Sequence, residues 1–370
     1  MINNRVCHIS IVHKKNDIRI FHKECVSLAK AGYEVIYISQ GTHDDVESGV
    51  KLTGFQAQHN RNRLTRFLFS GRKIVKFALA QNAYIYHIHD PELIRFSKLI
   101  KRAGCKVVYD SHENSPLQIY EKEWIPKVLR PLVAAMVDWI EMKYIKYCDL
   151  IFAVADSTCE RFKDYADKVI KLENLPIKKE FENIDIDYDK KSENNVFCYS
   201  GAIWKERGLL NTCFSFEKIK NVSLEIAGRI DIDPLDEFIA SLPSNVSYLG
   251  YLNRKGVMKV YEKSMAGLCL FNPYPNNMID PPTKIYEYMA SGIPTICSNF
   301  KSMEEVVLTY DCGISVNPNN REEIESAIIY LSSHKDEVKR MGQNGLKAIN
   351  EILNWEIHEK VLIDAYRRFL

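Results

Sequence analysis

The sequence predicts a two-domain protein of the doubly wound α/β type, and three observations predict it. The chain has 370 residues, more than one hydrophobic core usually serves. Short β-branched runs alternate with helical patterns in both halves, the rhythm of parallel sheets covered by helices. The charge also divides. Residues 1–180 hold 29 Lys and Arg against 21 Asp and Glu, while 181–370 hold 21 against 27, so the halves are expected to face different partners. Hydrophobic residues make up 46% and charged residues 26% of the chain, which excludes disordered and fibrous classes. No apolar run approaches the ~20 residues of a membrane span, and the opening stretch has no signal-peptide core. A cytoplasmic location is therefore expected. Ten cysteines have no zinc-like spacing and read as small buried hydrophobes.

The chain opens with a strand at 6–12, a helix from Asp17 to Gly32 and a strand at 34–39. This is the start of a parallel sheet whose ligands gather at the carboxyl ends of strands. It has no G-x-G-x-x-G, so a dinucleotide fingerprint is absent. Asp17 and Arg19 stand at the mouth of the helix. They read equally as ligand contacts or as a capping Asp with a surface Arg. Residues 61–77 carry six cations, no acid and seven large apolar side chains. Such a stretch suits an anionic membrane surface, the alternative being an ordinary core-facing helix.

The 84–90 segment alternates as a strand and meets a helix start, with Asp90 as N-cap and Pro91 at N1. The next strand, 106–110, runs into Ser111, His112 and Glu113. Two sheet ends thus gather His89, Asp90, Asp110, His112 and Glu113 on the expected ligand face. His87 and His89 share a strand face, but no further metal ligands declare themselves in the sequence, and no metal is expected. A long amphipathic helix at 124–147 carries Val128, Leu132, Met136, Trp139, Ile140 and Tyr144, and a strand at 149–154 follows. Residues 169–176 close a first domain placed at 1–178. The acidic stretch 179–195, with Asp185, Asp187 and Asp189, reads as a solvated linker.

A second sheet begins at 196–199. Gly201 at the strand end permits close approach of a phosphate, and Arg207 beyond it can balance charge. Strands at 223–228, 246–250, 267–271 and 313–316 follow. Within this second domain, placed at 196–352, residues 281–297 read as loop, helix, turn and strand. Ile285, Tyr288 and Met289 lie on the buried side, and Gly292 and Pro294 stop the helix. Lys284 and Glu287 share one face near the helix start, where free amides favour an anion. A phosphate and a sugar hydroxyl would fit there. The alternative is a Lys–Glu pair on a solvated helix.

The stretch P-x-K-x-x-E-Y-M-A-x-G-x-P at 282–294 and the opening D-x-R-I-F-x-K-E at 17–24 resemble family 4 glycosyltransferases of the GT-B fold, especially bacterial surface-polysaccharide members. The resemblance implies two facing Rossmann-like domains with a deep interdomain cleft, and a helix at 353–370 that crosses back to the first domain. It implies a retaining hexosyltransferase with no cofactor and no metal. Glu287 matches the second glutamate of the family's E-x7-E signature, which accepts the donor's ribose hydroxyls. The first glutamate is replaced by Ile279, and the glycine-rich loop by Pro281 and Pro282. Gly201, Arg207 and Lys284 would complete the nucleotide-sugar site, with 252–255 as the loop beneath the base.

His112 matches a histidine near the transferred sugar and is grouped with Glu113 as catalytic. Asp17, Arg19, Asp90 and Asp110 fall on the acceptor side. The implied partners are a nucleotide-sugar donor and a glycan or lipid-linked acceptor, met at the inner face of the cytoplasmic membrane, with no nucleic acid. The alternatives are a non-catalytic sugar-nucleotide-binding subunit and a sugar-nucleotide 2-epimerase.

Overall fold

The computed structural model describes residues 4–56, 70–122, 124–204 and 209–369. The chain forms two compact units, Met1–Asn174 with Trp355–Leu370, and Leu175–Asn354.

In the first unit the strands are β1 (Arg5–Ile9), β2 (Glu34–Gln40), β3 (Asp44–Glu47), β4 (Val50–Phe55), β5 (Ile85–Ile88), β6 (Lys106–Ser111), β7 (Leu150–Ala153) and β8 (Val169–Lys171). Among the described residues they form one sheet in the order β3-β4-β2-β1-β5-β6-β7-β8, parallel except for the β3–β4 hairpin. Alternation sorts the side chains. Cys7, Ile9, Tyr86, Ile88, Val107 and Tyr109 join one apolar cluster, so their neighbours in sequence point to the opposite face. On that second face lie His8, His87 and Asp110, all fully buried.

The helix after β1 starts as a wide π-type segment, Ile18–Cys25, and continues as Val26–Lys30. Asp17 caps it, accepting the amides of Arg19 and Ile20 at 2.9 Å. Gly32 ends it at φ +92°, a conformation that costs glycine little.

In the second unit a six-stranded parallel sheet has the order β13-β11-β9-β14-β15-β16. Its strands are β9 (Val196–Ser200), β11 (Ser223–Ala227), β13 (Val246–Tyr248), β14 (Ala266–Cys269), β15 (Thr295–Ser298) and β16 (Gly313–Val316). A separate parallel pair joins β10 (Ile203–Trp204) to β12 (Ile230–Asp231). Phe197, Leu224, Leu268 and Ile296 fill one side of the sheet, while Cys198, Cys269 and Cys297 fill the other. Such sheets are buried on both faces, which is why their strands read as continuous apolar runs. Gly267 lets helix Thr283–Ala290 settle on β14, since a Cβ there would lie 2.4 Å from the Tyr288 ring.

Several expectations are corrected by packing. Residues 179–195 are not an unstructured linker. Phe181 enters the core of the second unit, Asp187 caps helix Tyr188–Asn194, and buried Lys191 donates to the carbonyls of Tyr261 and Glu262 at 2.8 and 2.7 Å. Residues 252–255 are only partly loop, because Asn253 caps helix Arg254–Lys263. The helix at Arg130–Ile145 buries Ala134, Glu141 and Ile145 and leaves the large apolar residues Leu132, Met136 and Trp139 exposed. All ten cysteines are free and eight are buried. Among the described residues no helix is long and apolar enough to cross a membrane.

Candidate functional site

In the first unit the expected residues converge at the carboxyl ends of β1, β5 and β6. Arg19 reaches Asp110 through two bonds, Nε to Oδ2 and Nη2 to Oδ1, each 2.7 Å. The same Nε lies 3.2 Å from Glu24. Arg19 is 4% exposed and Asp110 0%, so neither is placed to touch an acceptor. Burial opposes the charge on Asp110, but the Arg19 guanidinium and then His112 hold its carboxyl well below the usual range. With Asp110 ionised, His112 Nε2 donates to its Oδ2 at 2.7 Å. When the ring is neutral, that leaves His112 Nδ1 as the acceptor atom.

The contacts continue inward. His89 Nδ1 is 3.1 Å from His112 Nε2, and His89 Nε2 is 2.9 Å from His8 Nδ1. The Tyr366 hydroxyl meets His87 Nδ1 at 2.7 Å. Burial keeps all three inner imidazoles neutral, with His89 drawn down to about 4. Glu24 is shifted the other way. Desolvation and then the Asp110 charge raise its carboxyl well above the ordinary value.

The remaining expected residues take different places. Asp17 accepts from His13 Nδ1 at 2.8 Å as well as from its helix. Burial opposes its charge, yet His13 and the Ile20 amide hold it well below the carboxylate range. Asp90 holds the N-cap position before Pro91 as expected, but its side chain makes no cap bond and instead accepts the Ile11 amide at 2.6 Å. Glu113 is exposed and His112 half-buried.

Two groupings have metal-like composition among the described residues: His8, Glu24, His87 and His89, and His89, Asp110 and His112. Both lie within the network of imidazoles and carboxylates just described. Arg19 pairs with Asp110 and lies 3.2 Å from Glu24 Oε1, while both Glu24 oxygens, His8 Nε2 and His87 Nε2 have no hydrogen-bond partner among the described residues.

In the second unit Glu287 and Lys284 extend from one helix to different neighbours. Glu287 Oε1 accepts from Arg254 Nη1 at 2.6 Å, and Oε2 from the Tyr261 hydroxyl at 2.8 Å. Tyr261 also bonds Ser200, and Arg254 is anchored on Glu180 at 2.9 Å. Lys284 is 7% exposed, with its ammonium 3.6 Å from the Tyr199 ring centroid. A Cβ on Gly201 would lie 3.5 Å from that ammonium. This is therefore not a Lys–Glu pair on a solvated helix. The cation lies beside the glycine that ends β9, at the start of a helix, and the carboxylate is held one turn further on. The arrangement can receive an anion and a vicinal diol. Arg207 lies outside the described residues.

The description "Glycosyltransferase Family 4" matches residues 20–171, and "Glycosyl transferases group 1" matches 180–348. The chain belongs to the family 4-type glycosyltransferases of the GT-B fold. Solved structures similar to this glycosyltransferase include sucrose-phosphate synthase from Thermosynechococcus elongatus, 15% identical over 98% of each chain with a TM-score of 0.81. Anabaena HepE in complex with UDP-glucose is 11% identical, with 98% of this chain and 99% of that one covered and a TM-score of 0.74. WaaG, a glycosyltransferase involved in lipopolysaccharide biosynthesis, is 12% identical with the same coverage and a TM-score of 0.71. At these identities the likeness concerns the fold. No curated protein matches the sequence significantly.

Sequence reasoning missed the residues that hold this glycosyltransferase's named side chains. His8, His13 and Glu24 support the first unit's network, and Ser200, Arg254 and Tyr261 support Glu287. His8 carried one signal, because it lies on a strand that pairs in register with His87. Arg254 carried none beyond being a cation after a loop.

Proposed function

We propose that this glycosyltransferase is a retaining, metal-independent hexosyltransferase that moves a sugar from a nucleotide-sugar donor to a glycan or lipid-linked glycan in cell-surface polysaccharide synthesis. The observation that carries the proposal is the second unit's helix start, with Lys284 beside Gly201 and Glu287 anchored one turn on. A diphosphate has its negative charge met there by an ammonium at the positive end of a helix dipole. The ribose diol would be accepted by the Glu287 carboxylate, one turn further along the helix. As the glycosidic bond breaks, charge grows on the departing diphosphate, so the same cation binds the transition state more strongly than the ground state. That chemistry asks for no divalent ion. The UDP-glucose bound to HepE supports a nucleotide-sugar donor by analogy of fold.

In the first unit His112 is the group assigned to the transferred sugar, with exposed Glu113 and half-buried Asp17 toward the acceptor, while Asp90, 2% exposed and bound to the Ile11 amide, stays behind them. Arg19 and Asp110 act behind His112 by fixing its ring. The basic stretch 61–76 is proposed to meet an anionic membrane bearing the acceptor. Residues 61–69 of it lie outside the described residues, and Gly71–Leu79 is a helix burying Ile74, Val75 and Ala78.

Calorimetry with UDP-, GDP-, ADP- and dTDP-sugars, followed by NMR of the product's anomeric centre, tests the proposal. One nucleotide-sugar series should bind, and the product should keep the donor's anomeric configuration at a rate unchanged by chelator. Inversion, or chelator-sensitive transfer, overturns the retaining, metal-independent reading. Conversion of the donor without any acceptor points to an epimerase instead.

A further inference from the structure

Helix Arg130–Ile145 shows an apolar stripe to solvent as well as to the core. Its exposed positions are Pro131, Leu132, Ala135, Met136, Trp139 and Lys143. Leu132 is 71% exposed, Met136 51% and Trp139 59%, and Val128, one turn ahead of Leu132, is 86% exposed. Residues at these spacings fall on one stripe of a helix. The inward side buries Ala134 and Ile145, packs Met142 and Tyr144 against the core, and carries one charge. Buried Glu141 accepts the Tyr109 hydroxyl at 2.6 Å and pairs with Arg161 at 2.7 Å. The helix is thus apolar on both sides, and a contiguous apolar stripe facing water marks a surface that something covers.

The charges around the stripe say what covers it. None of the helix's exposed positions is acidic. Lys143 stands 4.4 Å over the Trp139 ring, and Lys146, one turn after Met142, stands 5.4 Å over the Tyr147 ring. Lys127 is exposed at the other end. Asp138, on the flank, is taken by Arg161 at 2.7 Å. An apolar stripe with a tryptophan and a one-sign frame of lysines matches a lipid interface. There the rings sit at headgroup depth and the ammonium groups reach the phosphates.

We propose that the stripe formed by Leu132, Met136 and Trp139 of this helix, with Val128 on the turn before it, is a docking surface for an anionic lipid layer, with the helix lying parallel to it and Lys127, Lys143 and Lys146 on the headgroups. The inference does not depend on the sugar-transfer reading, and it uses residues distinct from the basic stretch at 61–76.

The test uses the full chain with phosphatidylcholine vesicles, with and without phosphatidylglycerol, and sedimentation as the readout. The wild type should bind the anionic vesicles at low salt and release as salt rises. Leu132→Ser with Met136→Ser and Trp139→Ser should weaken that binding about tenfold or more, because little apolar area remains to insert. Lys127→Ser with Lys143→Ser and Lys146→Ser should remove most of the preference for phosphatidylglycerol. Unchanged melting temperature and nucleotide-sugar binding show that both variants remain folded. Since both sets lie on the exposed side, that result is expected. The proposal is overturned if the wild type ignores anionic vesicles, or if the apolar variant binds them as well as the wild type does. It is equally overturned if light scattering finds a wild-type dimer that the apolar variant turns to monomer, with no lipid binding by either. The stripe is then an interface between two copies of this chain.

Discussion

Asp110 and Glu287 are both carboxylates held by an arginine, but water reaches only one of the pairs. The Asp110 and Arg19 side chains are 0% and 4% exposed, whereas Glu287 and Arg254 are 15% and 30% exposed. A sealed pair cannot exchange its partner for solvent, so its charges are bound up with the fold. A half-open pair can yield one bond to an incoming hydroxyl at modest cost. The same chemistry thus orients a ring in one unit and remains available to a ligand in the other. That contrast can be tested residue by residue.

Breaking the sealed pair should have the largest effect. Arg19→Met leaves Asp110 buried with no guanidinium and should cost about 3–5 kcal/mol of stability, whereas the double variant with Asp110→Asn should recover part of it. Hydrogen exchange of first-unit amides in urea keeps this separate from unfolding of the second unit. Equal protection in Arg19→Met and wild type would mean that the pair is not sealed.

Removing the oriented ring should affect chemistry and spare the fold. For His112→Ala, turnover is expected to fall about a hundredfold while donor affinity stays within about twofold. Equal losses in both would make His112 an ordinary binding residue.

The half-open pair should show the opposite separation. Glu287→Gln should weaken nucleotide-sugar binding by roughly 1.5–3 kcal/mol, since an amide offers one acceptor where the carboxylate offers two. Its melting temperature should hardly change. Unaltered affinity in calorimetry would remove Glu287 from the donor site.

The smallest effect sharpens the picture of the sealed network. Glu24 has a folded-state pKa raised by desolvation and by Asp110. Its contribution is therefore fully present below the unfolded value of about 4.3 and is lost as pH rises toward the folded value. Asp110 has the opposite sign: its contribution is present above about 3.9 and lost as pH falls toward its depressed folded value. Glu24→Gln should remove the first loss and raise stability at neutral pH by about 1 kcal/mol relative to the wild type. Urea midpoints at pH 5 and pH 8 measure it. A variant that loses stability by the same amount at both values would show that Glu24 is ionised in the native protein.

Much of the fold was legible because it rests on periodicity. Strands such as 106–110 and helices such as 283–290 declare themselves by which neighbours must be buried together, and glycines such as Gly32 and Gly292 mark where the chain must turn. The segment at 179–195 was not legible, because its acidic composition resembles a solvated linker. Its folding depends on Phe181 and Lys191 finding distant partners. Asp90 illustrates the same limit at one residue, since its position before Pro91 predicts a cap while the Ile11 amide, far away in sequence, claims its side chain.

By itself the sequence determined the α/β class, the two-part division of the chain and the candidates Lys284, Glu287 and His112, because spacing along the chain fixes local structure and which side chains share a face. Only the tertiary structure decided which charges are sealed and what holds each candidate. It paired Arg19 with Asp110 across 91 residues and Arg254 with Glu287 across 33, and it left a second apolar stripe of helix Arg130–Ile145 facing solvent. The physical reason is that burial and long-range pairing are properties of the packed chain. Periodicity says that one side of a helix differs from the other, but packing chooses which side is covered.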